Sequence, residues 1–291
     1  MILPRFQFKE PRTLIETLEI VKQNKGKVAF IAGGTDLLVN LKKKVVNYEV
    51  IISLEGITDL TVMEYSERDG LTLGAMTRVS DMEDSLMVKE KYPALAIAAS
   101  GLGSQQVRNR ATVGGNICTA RPAGDMIGPL IAYDAVVRLV SNNGERFQRL
   151  EELFLGPGKT IIKEDEILVD IRLNAVTAKT GASYIKYTLR KAMEIAMVNV
   201  TTVLAFQKGL CESARVVLGA VAPTYIRGIQ AEEALVGEPF SEENTSQAAI
   251  LAAGCCQPIS DKRASADYRR DLVEVLTRRS IREAASRCLN L

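Results

Sequence analysis

Along its first third the chain alternates compact apolar runs with segments whose apolar residues recur at helical spacing. Residues 13–23 and 37–43 have helical spacing, whereas the apolar runs at 28–31 and 50–52 are typical of strands. The order strand, loop, helix, strand makes a unit that presents the loop after its first strand to a ligand. We therefore expect this loop to face a binding site.

The middle of the chain mixes strand patterns with a long polar stretch. Residues 71–75 and 167–173 predict strands, residues 92–100 predict a helix of small residues, and residues 141–144 predict the turn of a hairpin. Residues 101–120 are rich in Gly, Gln, Asn and Arg but poor in bulky apolar side chains. They therefore predict an extended loop system.

Beyond about residue 175 the pattern changes to strands followed by helices. Three successive runs predict an antiparallel sheet: 184–190, 196–206 and 214–221. Three helical segments follow: 226–236, 242–255 and 266–288.

We therefore predict an α+β protein of two domains. Residues 1–175 form the first domain, with lobes of about 1–56 and 57–175. Residues 176–291 form the second, a three-stranded antiparallel sheet with C-terminal helices. The chain of 291 residues, 47% of them hydrophobic, has enough material for both cores.

Charge and hydropathy narrow the range of partners. The 37 Lys and Arg residues are nearly balanced by 35 Asp and Glu, which gives no reason to expect a nucleic acid. No apolar run has the length of a bilayer span. The N-terminal sequence lacks an apolar stretch followed by a small-residue cleavage site. We therefore expect no membrane span and a cytoplasmic location.

The residue inventory excludes several kinds of chemistry. The chain contains no His, so it cannot build a Ser/His/Asp or Cys/His nucleophile or a zinc site that needs imidazole. Its five cysteines lack the C-x-x-C spacing of iron–sulfur and zinc sites. We expect neither a bound metal nor a catalytic acid or base, so redox chemistry here requires an organic cofactor.

Two glycine pairs have the character of phosphate-binding loops. Gly33-Gly34 follows a predicted strand and precedes a predicted helix, and Gly114-Gly115 lies in the polar stretch. Glycine lets main-chain N–H groups converge on a concave surface and lets a phosphate approach closely. Thr35 and Thr112 add a hydroxyl beside each pair. Two such loops can hold one dinucleotide from both sides, although either pair taken alone is more often a tight turn.

Five segments spread along the chain carry a family resemblance. They are 30–37 (FIAGGTDL), 104–109 (SQQVRN), 112–117 (TVGGNI), 194–200 (EIAMVNV) and 219–224 (GAVAPT). In this order they resemble the FAD-binding medium subunit of molybdenum hydroxylases, which include the xanthine dehydrogenase and carbon monoxide dehydrogenase families. The resemblance covers the whole chain and is far more specific than either glycine pair alone.

The resemblance implies FAD as the cofactor and assigns its contacts by position. The first loop contributes pyrophosphate and flavin contacts: Phe30, Ile31, Ala32, Gly33, Gly34, Thr35, Asp36 and Leu37. The second loop contributes Thr112, Val113, Gly114, Gly115 and Asn116. Asp125 matches the acidic residue that bonds the ribose hydroxyls. Leu168 and Lys186 match positions near the adenine and the flavin, and Leu102 stands where the family often has an aromatic residue.

Several of these side chains have simpler explanations, which the sequence leaves open. Asp36 and Asp125 each precede a predicted helix, where aspartate is a favoured cap. Lys186 alternates with apolar residues in a predicted strand, which is also typical of a solvated face. Cys118 lies beside the second loop, and we expect it to be a small buried thiol rather than a redox centre.

The resemblance also implies a division of labour between subunits. A large subunit would carry the molybdopterin cofactor, and a small subunit would carry [2Fe–2S] clusters. FAD on this chain would collect electrons from the clusters and pass them to NAD or another acceptor. Two alternatives stay open: a stand-alone flavin oxidoreductase, and a non-catalytic assembly scaffold with purely structural loops.

Overall fold

The computed structural model describes residues 3–176, 179–190 and 192–289. Within these ranges the chain forms a parallel three-stranded sheet, an antiparallel five-stranded sheet, an antiparallel four-stranded sheet and a two-stranded ribbon. The chain thus combines helices with sheets that are mainly antiparallel, and the predicted α+β class is confirmed.

A small parallel sheet and its helices form the first lobe: β1 (Gln7–Lys9), α1 (Leu14–Gln23), β2 (Val28–Ile31), α2 (Leu37–Lys42) and β3 (Val50–Ser53). Strand β3 lies between β1 and β2 and pairs in parallel with both. Thr13 begins α1 by accepting a hydrogen bond from the N–H of Glu16. Val21 of α1 packs against Val50 and Ile52, so the helix covers one face of the sheet.

The second lobe contains the five-stranded sheet, in the order β4-β5-β10-β6-β7. Its elements are β4 (Met63–Ser66), β5 (Gly70–Gly74), α3 (Val79–Asp84), α4 (Leu86–Lys91), α5 (Pro93–Ser100), α6 (Gln105–Arg108), α7 (Val113–Thr119), α8 (Ile127–Ala132), β6 (Val136–Ser141), β7 (Gly144–Arg149), β8 (Phe154–Gly156), β9 (Lys159–Thr160) and β10 (Ile167–Leu173).

The stretch 101–120 is not the continuous loop system that its composition predicts, because it contains α6 and α7. Each of these short helices begins with a side-chain cap. The Ser104 hydroxyl accepts from the N–H of Val107, and the Thr112 hydroxyl accepts from the N–H of Gly115. Local capping therefore forms helices where the apolar pattern is too short to reveal them.

The C-terminal part consists of a sheet covered by helices: β11 (Thr180–Tyr187), β12 (Val198–Gln207), β13 (Leu210–Gly219), β14 (Ile226–Arg227), α9 (Ile229–Glu233), α10 (Glu242–Gly254) and α11 (Ala266–Leu289). The three predicted strands pair antiparallel, and in the described part of the chain β14 adds a short fourth strand beside β13. The helix predicted over 226–236 is correspondingly shorter, because Ile226 and Arg227 belong to the sheet. Among the described residues, no helix is both long and apolar enough to cross a bilayer.

The largest apolar core is continuous across the predicted boundary between the domains. Tyr184, Val217 and Tyr225 of the C-terminal part lie in the same buried cluster as Leu95 and Leu130 of the second lobe. The C-terminal sheet therefore forms one wall of the second lobe's core.

Candidate functional site

The two glycine loops touch at the junction of the first and second lobes. A Cβ atom at Gly33 would overlap the main-chain carbonyl of Arg110, which lies just before the second loop. Glycine at this position therefore lets two backbones pack directly on each other. We call the contact formed by residues 32–35 and 110–115 the loop junction.

The other three glycines of the loop junction have different surroundings. Gly34 has a φ of +75°, a conformation that glycine adopts without strain. A Cβ at Gly114 would lie 2.6 Å from the carbonyl oxygen of Ala75, so this glycine packs against the end of β5. A Cβ at Gly115 would meet, among the described residues, Thr112 Oγ1 at 3.0 Å and Ala32 Cβ at 4.0 Å. The Cβ position of Gly115 thus has few protein neighbours, with Ala32 of the first loop at the limit of van der Waals contact, and we call this its open side.

The first loop presents main-chain donors. No hydrogen bond in the described part of the chain uses the N–H groups of Gly33, Gly34 or Thr35. All three residues are partly exposed. Main-chain N–H groups without protein acceptors are available to an anion such as a pyrophosphate.

The second loop has its main-chain donors already paired. The N–H of Val113 donates to Thr77 at 3.0 Å, and that of Gly114 donates to Ala75 at 2.9 Å. The N–H of Gly115 donates to the Thr112 hydroxyl at 3.1 Å. The Thr112 hydroxyl keeps its own proton for donation, since it serves here as an acceptor.

Asn116 connects the second loop to Asp125. Its Oδ1 accepts a hydrogen bond of 3.2 Å from the N–H of Met126. The connection brings the predicted ribose-binding carboxylate to the same region as the loop junction.

Asp125 is a buried carboxylate with two side-chain partners. Its Oδ1 accepts from the Tyr184 hydroxyl at 2.7 Å, and its Oδ2 accepts from Lys186 Nζ at 2.9 Å. Burial raises the pKa of Asp125, while the charge and hydrogen bond of Lys186 and the hydrogen bond of Tyr184 oppose that rise. The helix-cap explanation of Asp125 is wrong, because α8 begins after Met126 and the carboxylate bonds elsewhere.

Lys186 also contacts the segment that contains Leu102. Its Nζ donates to the carbonyl of Gly101 at 3.0 Å, and only 12% of its side chain is exposed. The solvated-face explanation of Lys186 is therefore wrong. The neighbouring Leu102 is buried, and its carbonyl accepts from the guanidinium of Arg108.

The remaining candidates lie at the edges of this arrangement. Phe30 and Ile31 are half-buried in β2, and Leu37 begins α2. Leu168 is buried in β10 within the core of the second lobe, which also contains Val113 of α7. Asp36 is exposed and occupies the N-cap position of α2, but within the described part of the chain its side chain makes no capping hydrogen bond.

Cys118 is accessible to solvent rather than fully buried as predicted, although the protein around it raises the pKa of its thiol to about 12 through desolvation. Helix α7 buries Val113 and Ile117, one turn apart. Cys118 follows Gly115 by three residues and therefore lies on the same, open side of the helix.

Sequence reasoning did not identify Tyr184 or Tyr225 as part of this region. Tyr184 precedes Lys186 by two residues on β11, so both side chains point to one face of the sheet. This alternation is a signal that could have found Tyr184. The Tyr225 hydroxyl donates to the carbonyl of Gly124 at 2.8 Å, a contact without a local pattern in the sequence.

Comparisons with known proteins show the family to which the chain belongs. Residues 4–174 match the family described as the FAD binding domain in molybdopterin dehydrogenase. Residues 183–284 match the CO dehydrogenase flavoprotein C-terminal domain.

Similar proteins match over almost the full length. The carbon monoxide dehydrogenase medium chain of Hydrogenophaga pseudoflava is 32% identical over 288 residues, covering 99% of this chain and 100% of that protein. The xanthine dehydrogenase FAD-binding subunit of Escherichia coli O157:H7 is 29% identical over 275 residues, covering 94% of each. The solved structure of carbon monoxide dehydrogenase from Hydrogenophaga pseudoflava, in a form that lacks the Mo-pyranopterin moiety, has a chain that superposes with a TM-score of 0.95. That chain is 33% identical, and the match covers 99% of this chain and 100% of that one.

The fold and these matches define an oxidoreductase subunit whose cofactor is FAD. Within that class, the chain belongs to the family of FAD-binding medium subunits of molybdenum hydroxylases. The resemblance found in the sequence is confirmed.

Proposed function

We propose that this chain holds FAD along the loop junction and Asp125, receives electrons from iron–sulfur clusters of a small subunit, and delivers them to NAD or another acceptor. Two features of the loop junction support this binding site. The N–H groups of the first loop have no acceptor among the described residues, and the Cβ position of Gly115 in the second loop has few protein neighbours. The first loop supplies hydrogen-bond donors and the second supplies space for the ligand, and a pyrophosphate requires both.

Each polar group of the site has a role toward the cofactor. The N–H groups of Gly33, Gly34 and Thr35 would bond the pyrophosphate oxygens. The Asp125 carboxylate would accept from the ribose hydroxyls, since each oxygen keeps a lone pair beyond its present partner. Lys186 Nζ lies 2.9 Å from Oδ2 of that carboxylate and holds it in place.

Bound flavin connects one-electron carriers with a two-electron acceptor, and this is the chemistry that the chain positions. The names of the relatives support a place in a larger assembly, since one is a medium chain and another is a FAD-binding subunit. We propose a small iron–sulfur subunit and a large molybdopterin subunit as partners. We also propose residues 1–175 as the FAD domain, with lobes of about 1–56 and 57–175, and residues 176–291 as the second domain.

The division of labour can be tested by reconstitution. The FAD-loaded chain is assayed on purines, aldehydes and aromatic heterocycles, alone and after assembly with co-purified partners, using one artificial acceptor throughout. We expect substrate oxidation in the assembly but not by the lone flavoprotein. Robust turnover by the lone chain would instead establish a stand-alone flavin oxidoreductase. A folded chain that does not retain FAD would establish a scaffold.

A further inference from the structure

The segment that carries Asp125 is held from the C-terminal part of the chain. Ala220 donates its N–H to the carbonyl of Pro122 at 2.7 Å. The Tyr225 hydroxyl donates to the carbonyl of Gly124 and accepts from Asn199 Nδ2 at 3.0 Å. Residues far along the sequence therefore fix both the backbone and the side chain of this segment.

The two donors on Asp125 define its orientation. Tyr184 bonds one oxygen and Lys186 bonds the other, so rotation about the last side-chain torsion would break both hydrogen bonds. A carboxylate offers about four acceptor positions. The positions that remain are therefore presented in a fixed direction.

We propose that Tyr184 is a positioning residue of the flavin site: its hydroxyl orients the Asp125 carboxylate to receive the ribose hydroxyls of FAD. This inference rests on the proposed binding of FAD at the loop junction. Tyr184 acts through Asp125 and needs no contact with the cofactor.

The hydroxyl of Tyr184 affects the pKa of Asp125, which can be measured. The groups that face Asp125 are Tyr184 and Lys186 from β11, with Tyr225 nearby. Burial raises the pKa of Tyr184 well above its ordinary value, so the hydroxyl remains a donor at all working pH values. Its hydrogen bond lowers the pKa of Asp125 against the effect of burial.

The sign of the pH effect follows from these interactions. A protonated Asp125 loses acceptor capacity, so FAD affinity is highest above the pKa of Asp125 and falls as the pH drops through it. Removal of the Tyr184 hydroxyl raises that pKa further. The loss of FAD affinity should therefore begin at a higher pH in Tyr184→Phe than in the wild-type chain.

The test is a titration of the full chain with FAD over a series of pH values, for wild type and Tyr184→Phe. We expect Tyr184→Phe to weaken FAD binding by about tenfold at neutral pH, the order of one hydrogen bond to a charged group, and to shift the pH profile upward. Carbon-13 NMR of labelled aspartate in the flavin-free chain should show the same upward shift for Asp125.

Tyr92→Phe is the matched control, because Tyr92 is also a buried tyrosine and its hydroxyl donates to the carbonyl of Asn174 at 2.8 Å. It should leave FAD affinity and the pH profile unchanged. A cycle with Asp125→Ala gives a second test. Tyr184→Phe should cost no further affinity in that background, because its effect passes through the carboxylate.

A folded Tyr184→Phe chain with wild-type FAD affinity and pH profile would overturn the inference, as would an equal loss in the Asp125→Ala background. Failure of the wild-type chain to bind FAD would overturn the proposed binding site instead. The NMR titration would then still show whether Tyr184 controls the ionisation of Asp125.

Discussion

The two glycine loops look alike in the sequence but offer a ligand different things. Around Gly33-Gly34 the main-chain N–H groups have no acceptor among the described residues. Around Gly114-Gly115 the N–H groups are bound to protein oxygens, and the open side of Gly115 is what remains. The same dipeptide therefore supplies donors in one loop and clearance in the other, and the difference is set by what each backbone packs against.

The largest expected effect is on stability, and it concerns Gly114, the glycine of the second loop that packs against protein rather than leaving room for a ligand. Gly114→Val places a side chain against Ala75, whose carbonyl oxygen lies 2.6 Å from the position of the new Cβ. We expect a loss of more than about 3 kcal/mol in the free energy of unfolding, beyond ordinary overpacking. Urea denaturation measures it. Gly254→Val is the control, because no described atom outside its own helix backbone and chain neighbours lies within 4 Å of a Cβ there.

The neighbouring glycine should behave differently. Gly115→Val fills the open side of the second loop, so FAD affinity should fall by at least about a hundredfold, or about 2.7 kcal/mol. The chain should stay folded, with a modest cost from the 3.0 Å approach to Thr112 Oγ1. Flavin content after reconstitution and far-UV circular dichroism measure the two effects. Normal flavin content in this variant would mean that the second loop is merely a turn.

Asp125→Ala tests the site beyond the loop junction. We expect FAD binding to weaken by about 1.5–3 kcal/mol, the range for hydrogen bonds to a charged group. Isothermal titration calorimetry with FAD measures this change. A lower melting temperature with unchanged FAD affinity would show that the carboxylate serves only to pair with Tyr184 and Lys186.

The smallest effect concerns the conformation of the first loop. Gly34→Ala requires an alanine at a φ of +75°, which costs about 1–2 kcal/mol. We expect this cost to appear as a slightly lower melting temperature and weaker FAD binding, because the N–H groups depend on the loop geometry. Wild-type values for both quantities would show that the first loop relaxes without consequence.

Most of the fold follows from apolar periodicity, and the exceptions have physical causes. The strand at Val28–Ile31 is a compact apolar run, and the three long C-terminal strands mix apolar with polar residues over lengths that were sufficient to predict strands. Strand β14 has two residues and α6 has four, so neither is long enough to show a period. These short elements depend on capping and on a neighbouring strand.

The candidate site was predictable where it is local and unpredictable where it is not. The glycine pairs are visible as local patterns, whereas Tyr184 reaches Asp125 across 59 residues of chain. Cys118 was predicted to be buried, but α7 leaves it accessible on the open side of Gly115, while the surrounding protein still raises the pKa of its thiol. The exposure of Cys118 depends on which side of α7 it lies, and the composition of residues 101–120 had predicted a loop instead of a helix.

A crystal structure of the full chain with FAD tests the central claim most directly. We expect the pyrophosphate oxygens to lie within hydrogen-bond distance of the N–H groups of Gly33, Gly34 and Thr35, and against the open side of Gly115. The ribose hydroxyls should bond Asp125, with Tyr184 still on the same carboxylate. A cofactor bound away from the loop junction, with these N–H groups facing only water, would contradict the account.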